Sequence, residues 1–222
     1  MAVYLVRHGL SEGNAQGVFQ GSQDFPLTGQ GCKQAIALGR WLAARAVKPD
    51  CAYTSPLKRA RQTAEIICEQ LGCAKPIDAP ELAEYYAGAL EGLNSEERTA
   101  EYPDYALRKL DERGDFSEFG GESYEDMQAR LGRFITRVHE HHWDDDILAV
   151  GHGGSFYQLV KQWCGWPAPR HYFTRLSNCC CFKLMLRRIN SHCVAELQWL
   201  VPLELIAPEL AESHAGDQTG GK

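Results

Sequence analysis

Ala2-Val3-Tyr4-Leu5-Val6-Arg7-His8-Gly9 sets five apolar residues before a cation, an imidazole and a glycine. A short apolar run with no polar alternation predicts a strand covered on both faces. The same pattern returns twice. Cys51-Ala52-Tyr53-Thr54 leads into Ser55-Pro56, and Asp146-Ile147-Leu148-Ala149-Val150 leads into Gly151-His152-Gly153-Gly154. Between the first two runs, Thr28 opens a helical stretch with Cys32, Ala35, Leu38, Leu42 and Ala43 on its apolar side, and Pro49 stops it. Ser55 is predicted as an N-cap with Pro56 at the first helical position. The helix that follows carries Ala60, Ala64, Ile67 and Leu71, and Gly72 ends it.

Residues 77–79 read as a third short strand. The pattern then degrades over residues 85–121, where glycines, charges, Pro103 and several tyrosines suggest short helices and loops. Ser123-Tyr124-Glu125-Asp126 has the form of a capping box, ahead of an amphipathic helix marked by Met127, Leu131, Phe134, Ile135 and Val138. Residues 155–164 read as a helix closed by Gly165 and Pro167, and 179–186 and 194–201 as late strands. This alternation predicts an α/β fold: a three-layer α/β/α sandwich with a mainly parallel central sheet and a small, mostly helical cap insertion. Residues 1–208 are expected to form one domain with the cap at about 85–121, and 209–222 a disordered tail.

Composition narrows the function classes. The 222 residues are 44% hydrophobic and 23% charged, which is globular usage. A net charge of −6 argues against nucleic acid as a main partner. No run of eighteen apolar residues offers a membrane span. Residues 1–7 show no basic region ahead of an apolar stretch, so the expected address is the cytoplasm. The nine cysteines lack a Cys-x-x-Cys pair, and Cys179, Cys180 and Cys181 are adjacent, so small buried thiols are expected rather than disulfides or a metal site. His139, His141 and His142 beside Asp144, Asp145 and Asp146 are read as the exposed end of a helix, and no metal is expected there.

In a parallel sheet the carboxyl ends of the strands share one edge, and ligands bind along it. Two histidines and at least two arginines should therefore converge on one crevice. Arginine presents forked donors that match phosphate oxygens, and helix starts add N–H groups. The guest this chemistry suits is a phosphoryl group. A neutral imidazole can attack phosphorus, and no metal is needed if arginines and a second, protonated histidine neutralise the equatorial oxygens. The leaving alkoxide needs a proton from a carboxylic acid, with Glu84, Glu91 and Glu12 as candidates by position.

Taken together these motifs resemble the histidine phosphatase superfamily, also called the phosphoglycerate mutase-like family. Tyr4 to Gly9 with Ser11 and Asn14 resembles the signature around the nucleophile. Phe19-Gln20-Gly21 and Pro26-Leu27-Thr28 resemble the loop and helix start after it. Ser55-Pro56-Leu57-Lys58-Arg59-Ala60-Arg61-Gln62-Thr63-Ala64 is similar to the second arginine motif. Leu82-Ala83-Glu84 with Gly88, Glu91 and Gly92 resembles the acid segment, Gly120-Gly121-Glu122-Ser123 the turn before the long helix, and Val150 to Gly154 the second-histidine motif. The resemblance implies that His8 is the nucleophile, that Arg7, Arg59 and His152 hold the phosphoryl oxygens, and that Asn14 completes the phosphate pocket. It implies that Glu84 protonates the leaving oxygen and then activates water, which requires it to be protonated part of the time. Gln20 and Gly21 would line the entrance, and the Gly153 backbone would donate to phosphate. One departure is Leu10, which stands where many relatives carry Glu or Gln.

The resemblance implies a metal-independent phosphomonoesterase acting on small phosphorylated metabolites, with no cofactor. Phosphoglycerate mutase activity and a catalytically inactive phosphate-binding regulator are the alternatives. The cap segment is short, and Gly154 stands where mutases tend to carry Asn. Both features favour hydrolysis. Relatives suggest phosphoglycerate, phosphorylated sugars, phosphoserine or the nucleotide-loop phosphate of cobamide synthesis as substrates. Phe19, Tyr85, Tyr86, Tyr102 and Tyr105 would either rim the pocket or pack the cap onto the core. The stretch from Trp163 to Trp166 and the late strands suit a homodimer contact or the core equally.

Overall fold

In the computed structural model, residues 1–107, 114–165, 176–190 and 192–211 are described. The opening run forms β1 (Ala2–Arg7), and the two runs that share its pattern form β2 (Cys51–Thr54) and β4 (Ile147–Gly151). Residues 77–78 form the short edge strand β3 (Ile77–Asp78), and the late strands are β5 (Cys181–Ile189) and β6 (His192–Val201). The six strands form one sheet in the order β3-β2-β4-β1-β5-β6. β1, β2, β3 and β4 pair in parallel, whereas β5 is antiparallel to both β1 and β6, with a register shift at Lys183/Leu184. The sheet is therefore mainly parallel, as the alternation predicts.

Period-two alternation divides the strands between two cores. Val3, Leu5, Tyr53, Ile147, Ala149 and Phe182 enter one, and Ala2, Tyr4, Val6, Ala52, Leu148 and Val150 the other. The first is covered by α6 (Tyr124–His141), through Met127, Leu131, Phe134 and Val138, and by α7 (Gly153–Cys164), through Phe156, Leu159 and Trp163. The second is covered by α2 (Gly29–Ala43) and α3 (Lys58–Leu71), through Ala35, Leu38, Leu42, Ala60, Ala64 and Ile67. Three layers result. The cysteine run follows the same alternation: Cys179 and Cys181 face one core and Cys180 the other. Burial pushes all three thiols up, Cys180 to about 12, so they stay protonated.

Two further helices, α4 (Ser95–Glu101) and α5 (Pro103–Leu107), lie in the cap, and α1 (Glu12–Ala15) follows β1. The middle of the cap, 108–113, lies outside the described residues, as do Trp166 and Pro167. The cap aromatics pack inward. Tyr85 and Tyr105 lie against Phe116, Tyr102 against Phe119 and Phe19 against Phe116, while Tyr86 is exposed. Among the described residues no helix is long and apolar enough to cross a membrane.

Three local expectations are corrected. α3 starts at Lys58 rather than at Pro56: the Ser55 hydroxyl is bonded to His152 Nε2 at 2.8 Å and accepts only the Leu57 N–H, at 3.3 Å. Asp24, from a distant loop, accepts the Lys58 N–H at 2.6 Å in its place. β5 starts at Cys181, because Asn178 and Cys179 turn back towards β1 and Cys179 takes φ +54°. The chain stays packed a few residues past 208: Pro208–Leu210 forms a 3-10 turn whose Leu210 carbonyl accepts from Gln30 and Gln34. Residues 212–222 lie outside the described residues.

Phe134 sits edge-on between Tyr53 and Trp163. Phe134→Ala should therefore cost about 3–5 kcal/mol in urea unfolding. Ser123 closes the predicted capping box with Asp126, and Ser123→Ala should cost about 1 kcal/mol. Equal small losses in the two variants would contradict this packing.

Candidate active site

Parallel pairing aligns the carboxyl ends of β1, β4 and β2, which are neighbours in the sheet. Arg7 is in register with Gly151, and Val150 with both Val6 and Thr54. The next residues continue the ladder: His8 N–H donates to Gly151 O at 2.9 Å, and Ser55 N–H to Val150 O at 2.9 Å. The three loops singled out in the sequence thus leave the sheet side by side, and the His8 and His152 rings face each other with centroids 5.1 Å apart. His8, Arg59 and His152 are buried, at 3%, 1% and 0% exposure.

The hydrogen bonds of His8 fix its tautomer. Its Nδ1 lies 2.7 Å from Gly9 O, a pure acceptor, so Nδ1 carries the proton and Nε2 keeps its lone pair. The backbone beneath is held from four directions. Thr63 Oγ1 accepts the Gly9 N–H at 3.0 Å, and Asn178 Nδ2 donates to His8 O at 2.9 Å. Cys179 N–H donates to the carbonyls of Arg7 and His8, and Arg7 N–H donates to Cys180 O.

The two arginines are oriented by carbonyls. Arg7 donates to Leu176 O. Arg59 donates to Gln23 O at 2.5 Å and to Gly21 O at 2.7 Å. Arg7 Nε, Arg59 Nε and His152 Nδ1 are buried with no hydrogen-bond partner. Burial lowers the Arg59 pKa to about 10, with Glu84 and Asp24 opposing the shift, so it remains a cation at neutral pH. Burial lowers both histidines well below 6.5. Arg7 and Arg59 add to this at His8, and Arg59, His8 and Arg7 at His152. Without an anion in the site, burial and the arginine field thus favour the neutral form of His152.

Glu84 reaches the same edge. Its carboxylate accepts the N–H groups of Gly154 at 3.1 Å and Ser155 at 3.0 Å, in the first turn of α7. A Cβ at Gly154 would stand 2.0 Å from the Tyr85 ring and 2.7 Å from Glu84 Oε1, so only glycine admits this approach. Arg130 anchors the segment from behind. It donates to the carbonyls of Glu81 and Ala83 while two of its nitrogens bind the Glu122 carboxylate. Of the other acids weighed, Glu91 accepts from Ser22 and Ala87 and ties the 20s loop to the cap, and Glu12 is exposed. Gly21 has φ +48°, and a Cβ there would meet Glu91 Oε1 at 2.1 Å.

The remaining sequence candidates lie close by. Asn14 Oδ1 accepts from the Ser11 backbone and hydroxyl and from Asn178, so its amide is oriented and its Nδ2 donors are left for another acceptor. Gln20 folds back onto Ser11, its Oε1 2.7 Å from the hydroxyl. Gly153 starts α7 beside Arg7, whose Nε would stand 3.6 Å from a Cβ there. Ser55, Thr63, Asn178, Glu91 and Arg130 support the site in ways the sequence did not disclose. Ser55 and Thr63 were at least inside a quoted motif, whereas nothing marked Asn178.

The sequence profile of the histidine phosphatase superfamily (branch 1) matches residues 3–195. The chain is 34% identical over 179 residues to an uncharacterized phosphatase, PhoE, of Bacillus subtilis (strain 168), covering 81% of this chain and 85% of that protein. It is 36% identical over 160 residues to a 2,3-bisphosphoglycerate-dependent phosphoglycerate mutase of Brucella anthropi, covering 70% of this chain and 78% of that one. The crystal structure of the alpha-ribazole phosphatase from Shigella flexneri superposes with a TM-score of 0.76 at 27% identity, covering 91% of this chain and 97% of that one.

The buried imidazoles set a pH dependence of stability. Their folded pKa values lie below the unfolded value of 6.5, so below that pH the unfolded chain takes up protons that the folded chain refuses. Each ring should remove up to about 1.4 kcal/mol of stability per pH unit of acidification below about 6.5, and nothing above it. Urea melts from about pH 5 to about pH 7.5 check this. His152→Asn should remove one ring's share of the slope; an unchanged slope contradicts a neutral buried His152.

Proposed function

The chain belongs to the histidine phosphatase superfamily and is a phosphatase, and from that premise we propose a metal-independent phosphomonoesterase that hydrolyses small phosphorylated metabolites through a phosphohistidine on His8. The observation that carries this reading is the fixed His8 tautomer, with a free Nε2 lone pair beside the buried, unpartnered Nε atoms of Arg7 and Arg59. The bound phosphoryl group takes the place of those missing acceptors. Arg7, Arg59 and His152 bind its oxygens, joined by Asn14 Nδ2 and the Gly153 N–H at the start of α7. The dianion raises the His152 pKa, so the ring takes up its second proton only with substrate present.

His8 Nε2 then attacks phosphorus while the P–O ester bond breaks and its electron pair leaves on the alkoxide. Glu84, in its acid form, delivers a proton to that oxygen. In the second half Glu84 removes a proton from water, the P–N bond breaks back onto His8, and inorganic phosphate departs. Buried cations carry the charge stabilisation a divalent ion would otherwise supply. Gln20 and Gly21 form the entrance wall beside Arg59. The proposed setting is the cytoplasm, which suits nine free thiols. The similarity to a phosphoglycerate mutase supports a second reading, in which the phosphohistidine returns its group to an acceptor alcohol instead of water.

Para-nitrophenyl phosphate with EDTA present should be hydrolysed at the same rate as without it; loss of turnover that zinc or magnesium restores would overturn metal independence. His8→Ala should abolish covalent labelling by a phosphorylated substrate as well as turnover. Glu84→Gln should reduce kcat about 10²–10⁴-fold on alkyl phosphates and far less on para-nitrophenyl phosphate, whose leaving group needs no proton. Equal losses on both substrates count against Glu84 as the acid. A dominant transfer of phosphate to glycerate derivatives, with little release of inorganic phosphate, would select the mutase.

A further inference from the structure

At the opposite edge of the sheet from His8, three donors of different kinds meet. Cys51 is the first residue of β2, His142 caps the C-terminus of α6, and Asp145 lies in the turn from α6 to β4. One ligand atom from each lies within 4.8 Å of the other two. Cys51 Sγ is 3.7 Å from His142 Nδ1, which is 2.7 Å from Asp145 Oδ2. We propose that Cys51 Sγ, His142 Nδ1 and the Asp145 carboxylate form a binding site for a zinc-class divalent cation, with water in the fourth position, which fastens the α6–β4 turn to the start of β2.

Geometry and donor chemistry both support the site. Zinc bonds of about 2.3 Å to sulfur and 2.0–2.1 Å to nitrogen give a tetrahedral S···N edge of roughly 3.6 Å. The Sγ···Nδ1 separation already matches it. The corresponding N···O edge is roughly 3.3 Å, somewhat longer than the 2.7 Å seen here, and the Asp145 side chain, 40% exposed, is placed to adjust to it. A thiolate with an imidazole and a carboxylate selects a borderline ion such as Zn(II) and disfavours Mg²⁺ and Ca²⁺. Behind the ring, Tyr53 Oη lies 2.7 Å from His142 Nε2 and orients it. Asp50 adds negative charge beside Cys51.

The proton balance is simple. The carboxylate at Nδ1 places the ring proton there in the absence of metal. On binding, that proton moves to Nε2, where Tyr53 Oη accepts it, and the Cys51 thiol releases its proton to solvent. One proton is lost for each ion bound. The proposal departs from the expectation that neither the cysteines nor the His139 to Asp146 cluster serves a metal. Ser55 lies four residues further along β2, about 13 Å at the rise of a strand, so the ion takes no part in turnover.

The probe is Co²⁺ added to EDTA-stripped, gel-filtered protein. One equivalent should produce a thiolate-to-cobalt charge-transfer band that zinc displaces, and zinc should raise the thermal midpoint. Cys51→Ser should abolish the band and the shift, Tyr53→Phe should weaken binding about 10–100-fold, and Cys193→Ser should change neither. Asp145→Asn, at a partly exposed position, should weaken cobalt binding without unfolding the chain. Hydrolysis of para-nitrophenyl phosphate should be the same with and without zinc in the wild type and in Cys51→Ser, which separates this proposal from the catalytic one. A band that is absent in the wild type, or that persists in Cys51→Ser, overturns it, as does cobalt affinity unchanged by Asp145→Asn.

Discussion

The structure turns on positive charge withdrawn from water and gripped by carbonyls, with Glu84, Asp24 and Glu91 acting on Arg59 only from a distance and no carboxylate in ion-pair contact with it among the described residues. Arg59 is 1% exposed and donates to the Gly21 and Gln23 carbonyls, and Arg7 to Leu176 O. Carbonyl dipoles orient a guanidinium but do not cancel its charge, and a buried cation without a contacting carboxylate is costly. The rest of the site follows from this. Two imidazoles beside such cations must stay neutral, which preserves the lone pair at His8 Nε2. A phosphoryl dianion relieves the strain in one step, and on the proposed mechanism much of the binding energy has this origin. Carboxylates pressed directly against the arginines would stabilise the fold and quench the site.

The sheet makes this arrangement rigid. β1, β4 and β2 are buried on both faces, and their registers are fixed by two separate cores. A slip of one residue would exchange every side chain between those cores, so the ends of the strands cannot drift. Arg7 and His8 extend directly from β1, Ser55 from β2 and His152 from β4. The loops that carry the proposed catalytic residues therefore begin at positions that hydrophobic packing has already determined.

That dependence explains what the sequence discloses. The doubly buried runs are legible because nothing polar interrupts them, and the loops behind them are legible because Arg, His and Gly rarely share such a position. Capping boxes are local, and the one at Ser123 appears as read. The α3 start was misplaced because Ser55 answers to His152, almost a hundred residues away. Asn178 and the reversed β5 were invisible for the same reason: their partners are Arg7 and His8, and no periodicity encodes a contact across most of the chain. The cap aromatics had an ambiguous pattern, and burial of Tyr85 and Tyr105 resolves it in favour of packing.

That packing reaches the acid. Tyr85 follows Glu84 and lies edge-on to Phe116, which also contacts Phe19 and Tyr105. The same Tyr85 ring occupies the space that a side chain at Gly154 would need, and Gly154 and Ser155 hold the Glu84 carboxylate. Arg130 fixes the other end of the segment through Glu81 O and Ala83 O. Glu84 is thus suspended between the cap and the first turn of α7, and its distance from His8 is set by both. A change of volume among Phe19, Phe116 and Tyr105 would shift Tyr85, and with it the carboxylate, without touching a residue that binds phosphate. On the proposed mechanism the cap would thereby govern proton delivery, and substitutions there should alter poor leaving groups before they alter good ones.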